Sequence, residues 1–304
     1  MSFTIHKGER KSQMHCGTPT YAGCYSAGFA TARLKCWPLC AGRFFCASKE
    51  SRLSWLRAGA IVMIGLFFNL FLPGAVGGDV MRLYFVFNLA PRRKIGATLS
   101  VAMDRLFGLF AILFLTGMSL FLRFSWLTRS ATSLHIAYIA IVLLSSGLAF
   151  VLLLFWLVNS RFLHQLPEAT PFRKAIIEFG EALLRYRTHL MAMALAFLIT
   201  IASHVASYMS FYCAGESLRS STGHTATVAD VLSIMPLVNT ITSVPISIGG
   251  AGVRETLFQE LLGNLAHVAP ALAAFTASLG YANQVSWGLV GAAIFLASQK
   301  IISF

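Results

Sequence analysis

Two arginines, Arg82 and Arg254, close two copies of one ten-residue pattern. Residues 73–82 read PGAVGGDVMR and residues 245–254 read PISIGGAGVR, both P-x-x-x-G-G-x-x-x-R. Pro73, Gly77, Gly78 and Arg82 answer to Pro245, Gly249, Gly250 and Arg254. Proline removes a backbone donor and stops a helix, and paired glycines let the chain turn and come close to a ligand. A helix restarting after Gly78 or Gly250 turns free N–H groups and the positive end of its dipole outward, a ready anion site. A guanidinium about one turn inside that helix can grip two phosphate oxygens. The chemistry on offer is therefore anion binding, with two half-sites facing one another around one lipid phosphate. Asp79 and Glu255 stand ready to pair with these arginines or with Arg105. The opposing reading is structural, a pair of tight corners whose arginines reach for the membrane surface.

The surroundings of the motifs are those of a membrane. Of 304 residues, 57% are hydrophobic and only 12% charged, with a mean hydropathy of +0.71, whereas a soluble domain carries about 25% charge. The net charge of +13 is spread between apolar runs rather than gathered in a basic domain, which excludes a nucleic-acid partner and points to anionic headgroups. Broken hydrophobic segments at matching places in two halves of a chain mark the substrate site of many transporters. The expected fold class is all-α, a polytopic membrane bundle with broken or re-entrant helices.

Along the chain, residues 1–50 stand apart. They hold Cys16, Cys24, Cys36, Cys40 and Cys46 but no apolar run long enough to span or to act as a signal peptide. Only Cys36 and Cys40 are closely spaced, without a second pair or a histidine pair, so the cysteines read as free thiols and not as a zinc site. This stretch is expected to be a poorly ordered or mis-translated tail, ahead of one transmembrane domain over 51–304. Apolar runs predict helices over 58–72, 106–122, 134–158 and 190–215, with Arg123 and Arg129 bounding a short external loop. Basic residues at 82–105 and 159–187 place those stretches on the cytoplasmic side. Periodic apolar positions at 175–186 suggest a helix lying on the surface. Residues 230–244 form an apolar segment with Pro236 inside it that leads into the second motif, and beyond it the segments at 255–265, 271–281 and 285–299 are each short, so these three are expected either to span singly or to form re-entrant hairpins. Asn69 reads equally as an interhelical hydrogen bond and as part of the site. His204, in mid-span, reads first as a neutral side chain bonded to a neighbouring helix.

No nucleophile elbow, phosphate loop, zinc-protease helix or dinucleotide fingerprint is present, so no enzyme activity, metal or cofactor is expected.

Three runs carry a family likeness: FFNLFLPGAVGGDVMRLY (67–84), VAMDRLFGL (101–109) and VPISIGGAGVRETLF (244–258). Together they resemble the lysylphosphatidylglycerol synthase transmembrane-region family, flippase-like proteins of the bacterial inner membrane. The likeness covers about residues 51–304. It implies a multi-pass helical bundle that handles a membrane lipid, such as an anionic or aminoacylated phospholipid or a hopanoid, with a lipid-modifying enzyme as possible partner. Its polar positions fall on Asn69, Asp79, Arg82, Arg105, Arg254 and Glu255, beside the glycines Gly77, Gly78, Gly249 and Gly250. Two departures stand out. Asp104 takes the place of the glutamate usual before Arg105, and the cysteine-bearing stretch stands where further apolar helices are usual. No soluble aminoacyl-transferase domain accompanies these segments, so the chain is not expected to be a synthase by itself. The expected function is binding and flipping of a lipid or polyprenyl-type amphiphile. The alternatives are a non-transporting partner that presents lipid to a separate enzyme and, more remotely, a membrane-embedded transferase.

Overall fold

A computed structural model describes residues 55–70, 76–89, 94–159, 190–219, 225–244 and 247–302, with positions 173, 177 and 180. The stretch 1–50, Pro73 and Pro245, the basic run 91–93 and, apart from positions 177 and 180, the expected surface helix at 175–186 lie outside the described residues. Among the described residues the chain is all helical: α1 (Trp55–Phe68), α2 (Val76–Leu89), α3 (Lys94–Leu127), α4 (Ala131–Asn159), α5 (Leu190–Ser217), α6 (Val228–Thr242), α7 (Val253–Ala266) and α8 (Pro270–Ile302). A single 3-10 turn, Ile248–Gly250, separates α6 from α7.

Three stretches are long and apolar enough to cross a membrane, Val101–Leu127, Ala131–Leu153 and Leu190–Ser217. Their outer faces stay apolar, with Phe121, Tyr138, Phe150 and Leu198 exposed. That is what a hydrocarbon environment requires, since each helix closes its own backbone hydrogen bonds and turns apolar side chains outward.

The core forms around α6. Ile234, Leu237 and Val238 are fully buried, packed among Leu120 and Leu127 of α3, Ala137 and Ala140 of α4, and Phe258 and Leu261 of α7. Pro236 sits inside α6 without ending it. Hydroxyls stitch α6 to α3: Thr116 meets Thr240 at 2.7 Å, and Ser119 donates to the Ser233 carbonyl. In an apolar medium such bonds hold helices together where burial alone does not. The start of α6 is fixed by a capping box, Thr227 Oγ1 accepting from Asp230 N and Asp230 Oδ2 accepting from Thr227 N. A second apolar cluster joins α1, α2 and α8 through Ile61, Ile64 and Phe85, against Phe68 and Phe295.

Three expectations need correction. Arg123 does not begin a loop; it lies within α3, at a kink (φ −126°, ψ 20°), and the helix runs on to Leu127. The Asp230 carboxylate at 3.1 Å and the Trp126 ring at 4.5 Å hold its charge, so the helix need not stop to release it to water. The segments 271–281 and 285–299 are not separate. They form one 33-residue helix, α8, because Gln284 in the polar stretch between them finds a partner inside the bundle. The first motif does not interrupt the chain after its glycines: α2 starts at Val76, before Gly77 and Gly78.

Candidate functional site

The two copies of the motif share residue types but not backbone. In the first, Gly77 and Gly78 belong to the first turn of α2, and Arg82 lies almost two turns inside the helix. In the second, Gly249, Gly250 and Gly252 all take positive φ (62°, 76° and 81°), and Arg254 is the second residue of α7. Only the second is a broken turn whose arginine stands at a helix start.

Asn69 explains the first geometry. Its Oδ1 accepts from Gly78 N at 2.7 Å, so a side chain from the end of α1 closes a backbone donor at the start of α2. Gly78 must be glycine there, because a Cβ would run into the Gly65 carbonyl and the Asn69 amide. Of the two readings of Asn69, this bond is the interhelical one, and it takes up the Gly78 N–H.

Arg82 is 6% exposed and is surrounded by carboxylates. Its Nη1 donates to Asp104 Oδ2 at 3.1 Å and lies 3.7 Å from Asp79 Oδ1, while Arg105 Nε donates to Asp79 Oδ2. Two arginines and two aspartates make a formally neutral quartet that binds α2 to α3. The aspartate that replaces the usual glutamate, Asp104, is a full member of it.

Arg254 is the opposite case. It is 7% exposed, and its only hydrogen bond among the described residues is from Nη2 to the Gly249 carbonyl at 2.9 Å. Nε and Nη1 have no partner. The guanidinium lies over the Tyr281 ring at 4.6 Å and near the Phe211 ring at 5.7 Å, so α8 and α5 supply an aromatic cage. A side chain at position 250 would press on Nη2 and on Thr242, which is why the turn needs glycine there. Glu255 does not pair with Arg254. Its Oε2 accepts from Gly252 N at 2.7 Å and its Oε1 faces Ser278 Oγ at 3.4 Å, which caps α7. On the loop itself, Ala251 and Gly252 are exposed, and a Cβ on Gly252 would meet nothing.

No hydrogen bond or ion pair joins Asp79 or Arg82 to Arg254 or Glu255 among the described residues. The expected pair of facing half-sites is thus two unlike structures, one closed by ion pairs and one whose arginine makes no ion pair among the described residues. Chemically, the second can take an anionic group through Arg254 Nε and Nη1, aided by the start of α7. His204 stands against Tyr208, ring centres 6.1 Å apart, one turn along α5. Among the described residues no cluster of ligating side chains could hold a metal ion.

Sequence reasoning did not find Tyr281 and Phe211. Tyr281 begins the polar stretch that looked like a break in the helix. Phe211 is one of 25 phenylalanines, with no sequence mark to set it apart.

Comparison with curated proteins and with solved structures gives no match. The family model of the lysylphosphatidylglycerol synthase TM region matches residues 22–292, beginning inside the cysteine-bearing stretch and running through both motifs. The chain belongs to that family of membrane proteins.

Proposed function

We propose that the protein is a multi-pass protein of the bacterial inner membrane. It draws the anionic headgroup of an amphiphilic lipid into the turn before α7 and promotes its passage between leaflets, with no covalent step. The observation that carries this reading is Arg254: a buried guanidinium with two unpartnered nitrogens, at a helix start, in apolar surroundings. A buried guanidinium with unpartnered nitrogens is costly, and an anion at Nε and Nη1 relieves that cost while gaining from the helix dipole. The neutral quartet serves a different purpose, fastening α2 to α3 so that the bundle around the site keeps its shape. Helix α7, with 14 residues, is about 21 Å long and too short to cross some 30 Å of hydrocarbon alone, which suits a segment that ends at membrane depth, where a headgroup crossing the bilayer needs polar company.

The test is loss of leaflet asymmetry in liposomes carrying the purified chain, measured with labelled phospholipids of several headgroups. Loss faster than in empty liposomes for anionic lipids supports the reading. No movement above empty liposomes for any headgroup favours a protein that presents lipid to a separate lipid-modifying enzyme.

A further inference from the structure

Helix α7 has two faces, and its polar face is turned outward. Leu257, Phe258, Leu261, Leu262 and Leu265 recur at three- and four-residue steps and are buried against the bundle, with Arg254 the one charge on that side. The same steps on the opposite side carry Thr256, Gln259, Glu260, Gly263 and Asn264. Thr256 and Asn264 are exposed and the other three half-buried. Thr256 Oγ1 donates to the Gly252 carbonyl at 2.9 Å and Asn264 Nδ2 to Glu260 Oε2 at 3.1 Å, so these bonds stay within α7 and its leading turn. The outer face of α4 is different: the exposed Ser145 and Ser146 turn their hydroxyls back to the carbonyls of Val142 and Leu143. A hydroxyl can be hidden in this way, but a carboxylate such as Glu260 cannot, and an ionised group among acyl chains is costly. Water or headgroups suit this face, and acyl chains do not.

The polar face is continuous with the turn that holds Arg254. Glu255 and Thr256 are both bonded to Gly252, in the same exposed turn whose Gly249 carbonyl accepts from Arg254. Ser278 of α8 adds a hydroxyl beside Glu255. At the far end the exposed His267 closes α7 in a left-handed conformation. From Gly252 to His267 the helix rises about 22 Å, most of a hydrocarbon layer some 30 Å thick. No lysine or arginine lies between Glu255 and His267, so a phosphate that leaves Arg254 meets no further cation to hold it there.

We propose that the outward face of α7, marked by Thr256, Gln259, Glu260 and Asn264, is a hydrated furrow along which the lipid headgroup travels between the turn at Gly252 and the turn at His267. The acyl chains stay in the bilayer beside it. The inference rests on the lipid-transfer reading above and adds the route. The two parts divide the work: Arg254 holds the headgroup, and the furrow replaces its water during passage without binding it tightly. Polar side chains and the water they retain remove most of the cost of carrying a headgroup past hydrocarbon.

Two measurements on the full chain in phosphatidylcholine liposomes test this. In the first, Glu260→Cys, Asn264→Cys and, as an apolar outward control, Leu198→Cys are exposed to a charged, membrane-impermeant maleimide, and mass spectrometry of the peptides locates the label. The two α7 positions should react at least about tenfold faster than position 198, because only a thiol in water forms the reactive thiolate. In the second, the double variant Glu260→Leu with Asn264→Leu should slow the leaflet exchange of labelled phosphatidylglycerol at least about tenfold, while its binding, read by native mass spectrometry, stays that of the unaltered chain. The labelling decides whether the face is wet even if the leucine variant fails to fold. Labelling at 260 and 264 as slow as at 198 overturns the furrow and leaves Arg254 as the headgroup site. Fast labelling with unchanged exchange in a folded leucine variant overturns the route alone, the face being wet for another reason. Exchange by the unaltered chain no faster than in empty liposomes overturns the transfer reading and the route together.

Discussion

Arg254 and Glu255 are adjacent in sequence and do not pair: the carboxylate turns back to the Gly252 N–H at 2.7 Å, while the guanidinium turns inward to the Gly249 carbonyl at 2.9 Å. Helix geometry makes this natural, because neighbouring residues point about 100° apart, and the position three beyond a helix start suits a cap that reaches back. The consequence is a buried cation that makes no ion pair among the described residues. Arg254→Gln should therefore fold with little loss while anionic-lipid binding falls by roughly ten- to a hundredfold, the equivalent of one charged hydrogen-bonding partner. Arg254→Lys should restore only part of the binding, since an ammonium neither stacks on Tyr281 as a plane nor forks to two oxygens. Paired melting curves and lipid titrations of the two variants check both statements.

The quartet predicts the reverse pattern. Arg82→Ala leaves Asp79 and Asp104 without their buried partner and should destabilise the protein by about 3 kcal/mol, as breaking buried ion pairs does. Substitutions at Asp79 and Arg105 should be non-additive, with a coupling of at least about 0.5 kcal/mol in a double-mutant cycle measured by thermal unfolding in detergent. Additive effects there would show that the two side chains act separately.

The three glycines of the second turn should not be equivalent. Gly252→Ala meets open space and should cost only backbone strain, at φ 81° and ψ −54° about 1–3 kcal/mol. Gly249→Ala, at φ 62° and ψ 12°, is nearer the left-handed helical region, but it drives its methyl into the Tyr281 hydroxyl, a clash worth about 1–3 kcal/mol. Adding Tyr281→Phe should recover part of that loss. Melting temperatures of the four proteins decide the point.

Asn69→Leu should lower stability by about 1 kcal/mol through loss of the acceptor for Gly78 N. Gly78→Ala should cost more, because the collision is with the Gly65 backbone as well as with Asn69. Neither variant should alter the lipid preference of the folded protein. A changed headgroup preference in Asn69→Leu would place the first motif in the site after all.

The spanning helices α3, α4 and α5 were legible in the sequence because an uninterrupted apolar run of about 17 residues or more has few other stable fates. The continuity of α8 was not, since Tyr281, Asn283 and Gln284 look like a polar break unless their surroundings are known, and Gln284 is bonded across to Ser207. The repeated motif was legible as a pattern but not as a shape. Whether paired glycines enter a helix or leave it depends on contacts from elsewhere, here Asn69 for Gly78 and Tyr281 and Thr242 for Gly249 and Gly250. The same limit applied to charge: Asp79, Arg82, Asp104 and Arg105 could be listed as acids and bases near the turns, but their closure on one another, leaving Arg254 out, is a matter of three-dimensional packing.

The central claim is that Arg254 carries the anionic headgroup during transfer between leaflets. The direct measurement is the rate of asymmetry loss for one labelled anionic phospholipid in liposomes containing either the unaltered chain or Arg254→Gln, at equal and verified amounts of folded protein. The account predicts fast loss for the first and a rate close to empty liposomes for the second. Equal rates for the two proteins, both above empty liposomes, would contradict it.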